Sequence, residues 1–547
     1  MKNGFRASMA WLHTWTGLVV GWVLFFIFVT GTAGYFTFEI THWMEPERPA
    51  VQPVEAVDTQ VALATGLQRL QQVAPEAKLW RVSMPQYNQR TRQYRELEVN
   101  WESLPPRGRF FGQRGSETLD LATGQPVQQP EARETGGGNL LYRMHYAFHY
   151  MPRNIAFLLV GVCTMLMLVA IVSGVITHKK IFKDFFTFRP GKGQRSWLDA
   201  HNIISVMALP FFLMITYSGL IFFTETYMPA GIHAIYADEV DPRRTFFDEI
   251  YDRVDKSWQP VALPDTDVSE VIAEAERQWG AGQIASLTFS NPDDEPAYIE
   301  LSRLSQGKVV SRVSDTEGRL KFDARTGELL PLDEGDGATY MYGLLISLHE
   351  GHFAGPALRW LYFASGLLGC GMIATGLVLW TVKRRERHAR AKERQSAVDR
   401  FGLRLVEALN IATIAGLPLA VAAYFLANRL LPLDIADRAD WEAHCMFFVW
   451  GWTLIYALFR PMKQAWLELF ALAALAYASI PLVNAATTGV HLGWSIPQGD
   501  WVMAGFDLTM LLLAAMLAYT AHKLRLRWLK KEQQAMVAGA AAAGGAS

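Results

Sequence analysis

The chain has 547 residues, 51% of them hydrophobic, and its 51 Lys and Arg nearly balance its 52 Asp and Glu. The length alone would suit three or four soluble domains, but the apolar residues come in blocks of twenty or more, which excludes an ordinary soluble protein and marks membrane-spanning helices. A formal net charge of −1 names no partner, and no nucleic-acid partner is expected.

In chain order the apolar blocks fall at roughly 9–37, 153–177, 199–226, 357–382, 402–426, 443–461, 465–486 and 501–522, predicting a mainly α integral membrane protein with eight transmembrane helices. The first block is too long for a signal-peptide core and lacks a small-residue cleavage site, so it reads as a retained span. Basic stretches precede the first block (MKNGFR) and follow the second (HKKIFKDFFTFRPGKGQR), fourth (VKRRERHARAKER), sixth (FRPMKQ) and eighth (HKLRLRWLKK). Every alternate connection is basic, and the positive-inside rule then puts both termini in the cytoplasm of a multi-pass protein of a bacterial inner membrane.

The expected organisation is a first span in 1–38, a polar module in 39–138, and an outer segment with the second span in 139–178. A cytoplasmic loop (179–198), a third span (199–227), a second polar module (228–343) and an outer segment with the fourth span (344–383) follow. A basic loop (384–400), a four-span region (401–526) and a cytoplasmic tail (527–547) complete the chain. Each polar module opens on a helical pattern, VALATGLQRLQQV or VSEVIAEAERQWG, and turns to alternating stretches, RELEVNWE or AYIELSRL. Each then closes on a turn, LDLATGQPV or KFDARTGELLP, in which Gly supplies the positive φ. Both modules are predicted to be small α+β domains on the periplasmic side. Cys163, Cys370 and Cys445 lie in or at apolar blocks with no C-x-x-C, so neither a disulfide scaffold nor a cysteine-bound cluster is expected.

The spans repeat. Offsetting LHTWTGLVVGWVLFFIFVTGTAGYF by 188 positions sets His13 on His201, Thr30 on Ser218 and Gly31 on Gly219 without a gap. Offsetting LLYRMHYAFHYMP by 204 sets His145 on His349 and Pro152 on Pro356, and Ser173-Gly174 matches Thr375-Gly376 after a two-residue slip. The first four spans are therefore one two-helix unit, duplicated, and a duplication of this kind packs equivalent residues against each other.

That symmetry yields two layers of paired histidines, His13 with His201 at the cytoplasmic ends and His145 with His349 at the outer ends. Paired imidazoles in an apolar four-helix bundle suit two b-type haems, each iron held by one imidazole from each half. His149 and His352 lie about one turn beyond the outer pair and are alternate ligands, propionate partners or surface residues. His178, at the inner end of the second span, is a weaker candidate for the inner haem. Arg143, Arg153 and Arg359 either belong to an interfacial belt with Tyr142, Tyr146 and Trp360 or hold outer propionates. Zinc is the other chemistry of clustered histidines, but H-E-G-H at 349–352 is one residue short of H-E-x-x-H and lacks an acidic third ligand. His444 and His491 stand in the last four spans, for which residue patterns give no role.

The stretch from residue 1 to about 387 resembles the PepSY-associated transmembrane family, through L-H-T-W-T-G-L at 12–18, L-Y-R-M-H at 141–145, S-G-V-I-T-H at 173–178, R-S-W-L-D-A-H-N at 195–202 and L-H-E-G-H-F-A-G at 348–355. The polar modules look like its periplasmic PepSY domains. The resemblance implies an inner-membrane di-haem protein that reduces a periplasmic ferric siderophore, as ferrioxamine reductases of this family do. The four last spans depart from its shorter members. The cytoplasmic loops carry no dinucleotide- or flavin-binding pattern, so the expected electron donor is a separate reductase, a soluble carrier or membrane quinol. A siderophore or metal transporter and a haem-free periplasmic sensor or anchor are the competing readings. Mid-membrane segments without ionisable pairs argue against the first, and matched histidines are unexplained by the second.

Overall fold

The computed structural model describes residues 2–48, 58–88, 93–104, 112–127, 131–178, 185–242, 245–246, 258–293, 295–304, 318–332, 337–351, 353–390 and 396–544. The chain divides into two compact units, one built from Met1–Arg48, Glu131–Tyr217 and Trp360–Ser547, the other from Pro49–Pro130 and Ser218–Arg359.

The first unit is helical and carries the membrane-spanning segments. Seven described helices are long and apolar enough to cross a bilayer, and an eighth span results if one bent pair is counted as a single crossing. The protein is thus a multi-pass membrane protein. The first span runs within Lys2–Gly34 and the second is Arg153–Thr177. The expected third span is broken: Gln194–Met207 and Leu209–Ile221 meet at 67°. Pro210 sits at the break, where it has no N–H to bond Val206 and its ring crowds the preceding turn. The fourth span lies within Pro356–Arg390. The fifth runs from Ala397 to Leu430 through a wide turn at Ala412–Gly416, and Arg438–Phe459, Met462–Thr488 and Trp501–Gly544 supply the rest.

Side chains that bond across these helices fix their neighbours. Arg6 donates to the Thr177 carbonyl at 2.8 Å, tying the first span to the end of the second. Trp22 donates to Asn410 Oδ1 at 2.8 Å, and Asn410 donates to the Leu377 carbonyl at 3.2 Å, so the fifth span holds the first and fourth.

In the second unit the two inserts share one sheet. Seven of the unit's strands form an antiparallel sheet in the order β5-β4-β1-β6-β7-β8-β9, with β1 (Ala77–Ser83), β4 (Leu97–Ser103) and β5 (Arg114–Leu119) from the first insert, while β2 (Gln86–Asn88) and β3 (Gln93–Arg95) of the same insert pair as a separate two-stranded sheet. β6 (Ile284–Ser290), β7 (Tyr298–Arg303), β8 (Arg319–Asp323) and β9 (Leu329–Leu330) come from the second. β1 and β6 pair directly, Trp80 opposite Phe289 and Val82 opposite Leu287, so one insert covers the exposed edge of the other. The helices Thr59–Val73 and Val268–Trp279 share one apolar core with the sheet, in which Leu70, Val82, Val99, Leu287, Ile299 and Leu301 are fully buried. The two closing turns match in detail. Asp120 accepts from the Thr123 amide and Asp323 from the Arg325 and Thr326 amides, and Gly124 and Gly327 follow at φ of +66° and +74°.

Within this sheet unit Lys78 bonds Glu102 at 2.8 Å, both almost buried, and Arg114 bonds the other carboxylate oxygen at 2.9 Å. Burial alone would raise the Glu102 pKa, but the hydrogen bonds from Lys78 and Arg114 outweigh it and hold the group below the ordinary carboxylate value. A depressed folded pKa contributes stability above the unfolded value and loses it on acidification. Amide protection factors across β4 and β5, taken relative to intrinsic exchange at each pH, should therefore fall as pH drops below about 4, and Glu102→Gln should remove that acid dependence while costing on the order of 3 kcal/mol by stranding Lys78. An acid response unchanged in Glu102→Gln would refute the assignment.

Candidate functional site

Three spans of the first unit receive a histidine in the same way. His13 Nδ1 lies 2.8 Å from the Ala170 carbonyl, His201 Nδ1 lies 2.9 Å from that of Met372, and His145 Nδ1 lies 2.9 Å from that of Ile27. Each carbonyl stands four residues before a glycine: Gly174, Gly376 and Gly31. A helical side chain covers the turn preceding its own Cα, so glycine at these positions uncovers that carbonyl to the incoming ring. The space is tight, because a Cβ on Gly174 or Gly376 would stand 3.0 or 3.2 Å from Cε1 of His13 or His201, and one on Gly31 would stand 2.5 Å from Nδ1 of His145. The preceding Ser173, Thr375 and Thr30 fold their hydroxyls back onto carbonyls of the same turn.

In the second unit His349 follows a variant of this design. Its Nδ1 is 3.1 Å from Ser218 Oγ, and a Cβ on Gly219 would stand 2.9 Å from its Cε1. All four repeat-matched histidines are thus seated against a Ser/Thr-Gly dyad.

A carbonyl can only accept, so Nδ1 of His13, His201 and His145 carries the proton and donates. In the neutral ring Nε2 then bears the lone pair, the tautomer a metal ligand requires.

His13 and His201 face the same cavity, their ring centres 6.2 Å apart at an interplanar angle of 59°. The cavity, about 400 Å³, is walled by all four repeated spans, with Leu24, Met167, Ile171, Leu209, Phe212 and Ile373 among its apolar residues. That volume falls in the roughly 300–1,000 Å³ range of cofactor pockets. Two imidazoles on opposite sides of one metal ion place their centres about 6 Å apart, given metal–nitrogen bonds of about 2 Å and about 1.2 Å from nitrogen to ring centre. The cavity wall also holds Ser205, whose buried Oγ has no hydrogen-bond partner among the described residues. Donor type, ring separation, glycine cradle and volume all fit a haem at His13 and His201.

The remaining sequence candidates distribute as follows. His178 lies on the wall of this cavity, with Asn202 Nδ2 2.9 Å from its Nε2. His149 stands instead beside His444, as analysed below. Arg143 and Arg153 are exposed, the Arg153 guanidinium 6.0 Å from the Tyr146 ring, whereas Arg359 is nearly buried. His352 lies outside the described residues. Among the described residues no three His, Cys, Asp or Glu side chains form a metal-binding group.

Asn202, Ser205 and Lys383 on the cavity wall escaped the sequence analysis, which had no way to orient their helix faces. So did a buried polar network that leads to His145. Arg438 and Glu442, both fully buried, bond at 2.6 Å. Glu442 also accepts from Thr135 Oγ1 at 2.6 Å and from the Gly136 amide at 3.2 Å, and Tyr424 donates to the Gly137 carbonyl at 2.8 Å. These bonds secure the start of Gly137–Tyr146, the helix that carries His145. Gly138 has to be glycine here, since a Cβ would fall 2.2 Å from the Thr37 carbonyl oxygen.

Comparison with known proteins agrees with this architecture. The model of the PepSY-associated TM region matches residues 10–383. The chain belongs to that family. An uncharacterized protein of Pseudomonas aeruginosa is 25% identical to it over 398 residues, spanning 69% of this chain and 93% of that protein. Both duplicated histidine units lie inside the matched segment, and the fifth to eighth spans lie beyond it.

Glu442→Gln should lower the thermal unfolding midpoint of the detergent-purified protein, because Arg438 keeps its charge and loses its counterion, a cost of about 3 kcal/mol. Arg438→Met with Glu442→Leu should recover much of that loss. A Glu442→Gln protein melting like the parent would show that the network is not stabilising.

Proposed function

We propose that the protein is a di-haem b-type electron carrier of the bacterial inner membrane that reduces a periplasmic ferric chelate, a ferric siderophore being the leading acceptor. The observation that supports it most is the His13–His201 pair, 6.2 Å apart in a four-span apolar cavity with each Nδ1 tied to a helix carbonyl. The sequence repeat gives His145 and His349 the corresponding role for a second haem. Haem iron, when bound, supplies one-electron cycling between ferric and ferrous states.

The chain's own residues supply the conditions for that cycling. His13 and His201 offer imidazole nitrogens, and the Ala170 and Met372 carbonyls orient the rings and increase their basicity. The apolar lining excludes water and keeps solvent rearrangement small on electron transfer. Lys383, also on the cavity wall, is a cation suited to a haem carboxylate. Reduction moves an electron and leaves the chelate's covalent bonds intact, so the chain needs no nucleophile or general base. The donor in this reading is a cytoplasmic reductase, a soluble carrier or quinol.

Dithionite-reduced spectra and haem quantified per chain test the reading. The parent should hold two b-type haems with bis-imidazole spectra. His13→Ala and His201→Ala should each lose one of the two, and Gly174→Val or Gly376→Val should do the same by driving the ring from its seat. A colourless parent protein, produced with adequate haem supply, would move the function to transport or sensing. A full haem complement in His13→Ala and His201→Ala would overturn the pairing.

A further inference from the structure

A second imidazole pair lies in the same unit, and the repeat does not account for it. His149 stands in the turn between Gly137–Tyr146 and the second span, and His444 lies near the start of the sixth. Their ring centres are 6.3 Å apart at 69°, close to the 6.2 Å and 59° of His13 and His201.

The surroundings hold both rings in place. Tyr150 Oη lies 2.6 Å from His444 Nδ1, and its ring stacks on the imidazole at 5.7 Å. His149 is nearly parallel to Phe447, 5.9 Å away, and Trp441 meets His444 edge-on at 5.4 Å. Either group can donate in this bond; in the tautomer whose Nδ1–H donates to the tyrosine oxygen, His444 presents the Nε2 lone pair, the arrangement in which an outer partner fixes a metal-ligating histidine. His149 makes no hydrogen bond to protein among the described residues. Tyr150 is 59% exposed and both histidines are partly exposed, so the pair is accessible from the surface of the unit.

We propose that His149 and His444 bind a divalent first-row transition-metal cation, with Tyr150 orienting His444. Imidazole is the ligand type these cations share, and hard cations such as Mg²⁺ or Ca²⁺, which take oxygen ligands, are not expected there. Two protein ligands leave the other coordination positions to water or to a chelator that arrives or leaves with the ion, which suits transient binding better than a closed structural site. The site requires no haem and stands apart from the proposed electron transfer. Ferrous iron, the product of that reduction, belongs to the class of cation it takes.

The test is anaerobic titration of the full-length, detergent-purified protein with Zn²⁺ and Fe²⁺, followed by calorimetry or equilibrium dialysis, with haem content measured in parallel. One site per chain is expected. His149→Ala and His444→Ala should each weaken binding at least tenfold, and Tyr150→Phe several-fold, with haem content unchanged in all three. Should an alanine variant fail to fold, the glutamine replacements serve instead. Binding by the histidine variants equal to the parent's would overturn the proposal, as would loss of haem in His149→Ala, which would make His149 a haem ligand.

Discussion

The site depends on one local interaction, an imidazole N–H donated to a helix carbonyl that a glycine leaves uncovered. Within a helix the carbonyl of residue i already accepts from i+4 and keeps a second lone pair, which most side chains at i+4 would shield. Gly31, Gly174 and Gly376 remove that shield, and the bond that results sets ring position, ring orientation and tautomer together. Binding chemistry at Nε2 therefore rests on three hydrogen atoms that replace side chains on neighbouring helices. In a bilayer such control matters more than in water, because a polar ring left unbonded in the apolar interior pays the full cost of desolvation.

The two-helix unit closes on itself through these seats. His13 of the first span sits on Gly174 of the second, and His145, just before the second span, sits on Gly31 of the first. His201 on Gly376 and His349 on Gly219 repeat the exchange in the second half. Each half is thus a pair of helices that seat one another's histidines, and duplication supplies the second imidazole of the inner pair. The sheet unit joins the halves differently. It does so by backbone pairing of β1 with β6, each of which would otherwise be an open edge.

Much of this was legible in the sequence because it rests on spacing. His13 and His201, and the Ser/Thr-Gly dyads, recur at fixed offsets, and repetition separates a seat from a lone interfacial histidine. The Asp120 and Asp323 turns were readable for the same reason, as short local motifs. What escaped depends on contacts far apart in the chain. The β1–β6 pairing joins residues about two hundred positions apart, and AKLWRVS and IASLTFS carry no mark of which strand each will meet. The bend at Pro210 was open to inspection, yet the apolar run around it reads as one continuous span because hydropathy ignores the missing N–H. His149 and His444 meet across nearly three hundred residues outside the repeat.

The last four spans acquire a physical role from the polar network at one end of the bundle. Arg429 lies 3.8 Å over the Trp43 ring, donates to the Trp43 carbonyl and bonds Asn484 at 2.8 Å, while Trp43 donates to Asp507 at 3.0 Å. Arg133 bonds Glu47 at 2.6 Å and the Asn428 carbonyl at 2.8 Å. Guanidinium groups here meet carboxylates, amides and carbonyls from the fifth, sixth and seventh spans and from the two short segments that lead out of the first span and into the His145 helix, and the Trp43 indole adds the eighth span through Asp507. Buried ionisable groups near a membrane mark an ion path when they form a file with unpaired members. This cluster is instead cross-bonded and partnered, so its energetic effect is to fix backbone. The backbone it fixes, from Arg133 to Gly138, sets where the helix bearing His145 begins. The same sixth span supplies His444, so the added spans both clamp one repeat histidine and complete a pair with the residue four positions after it.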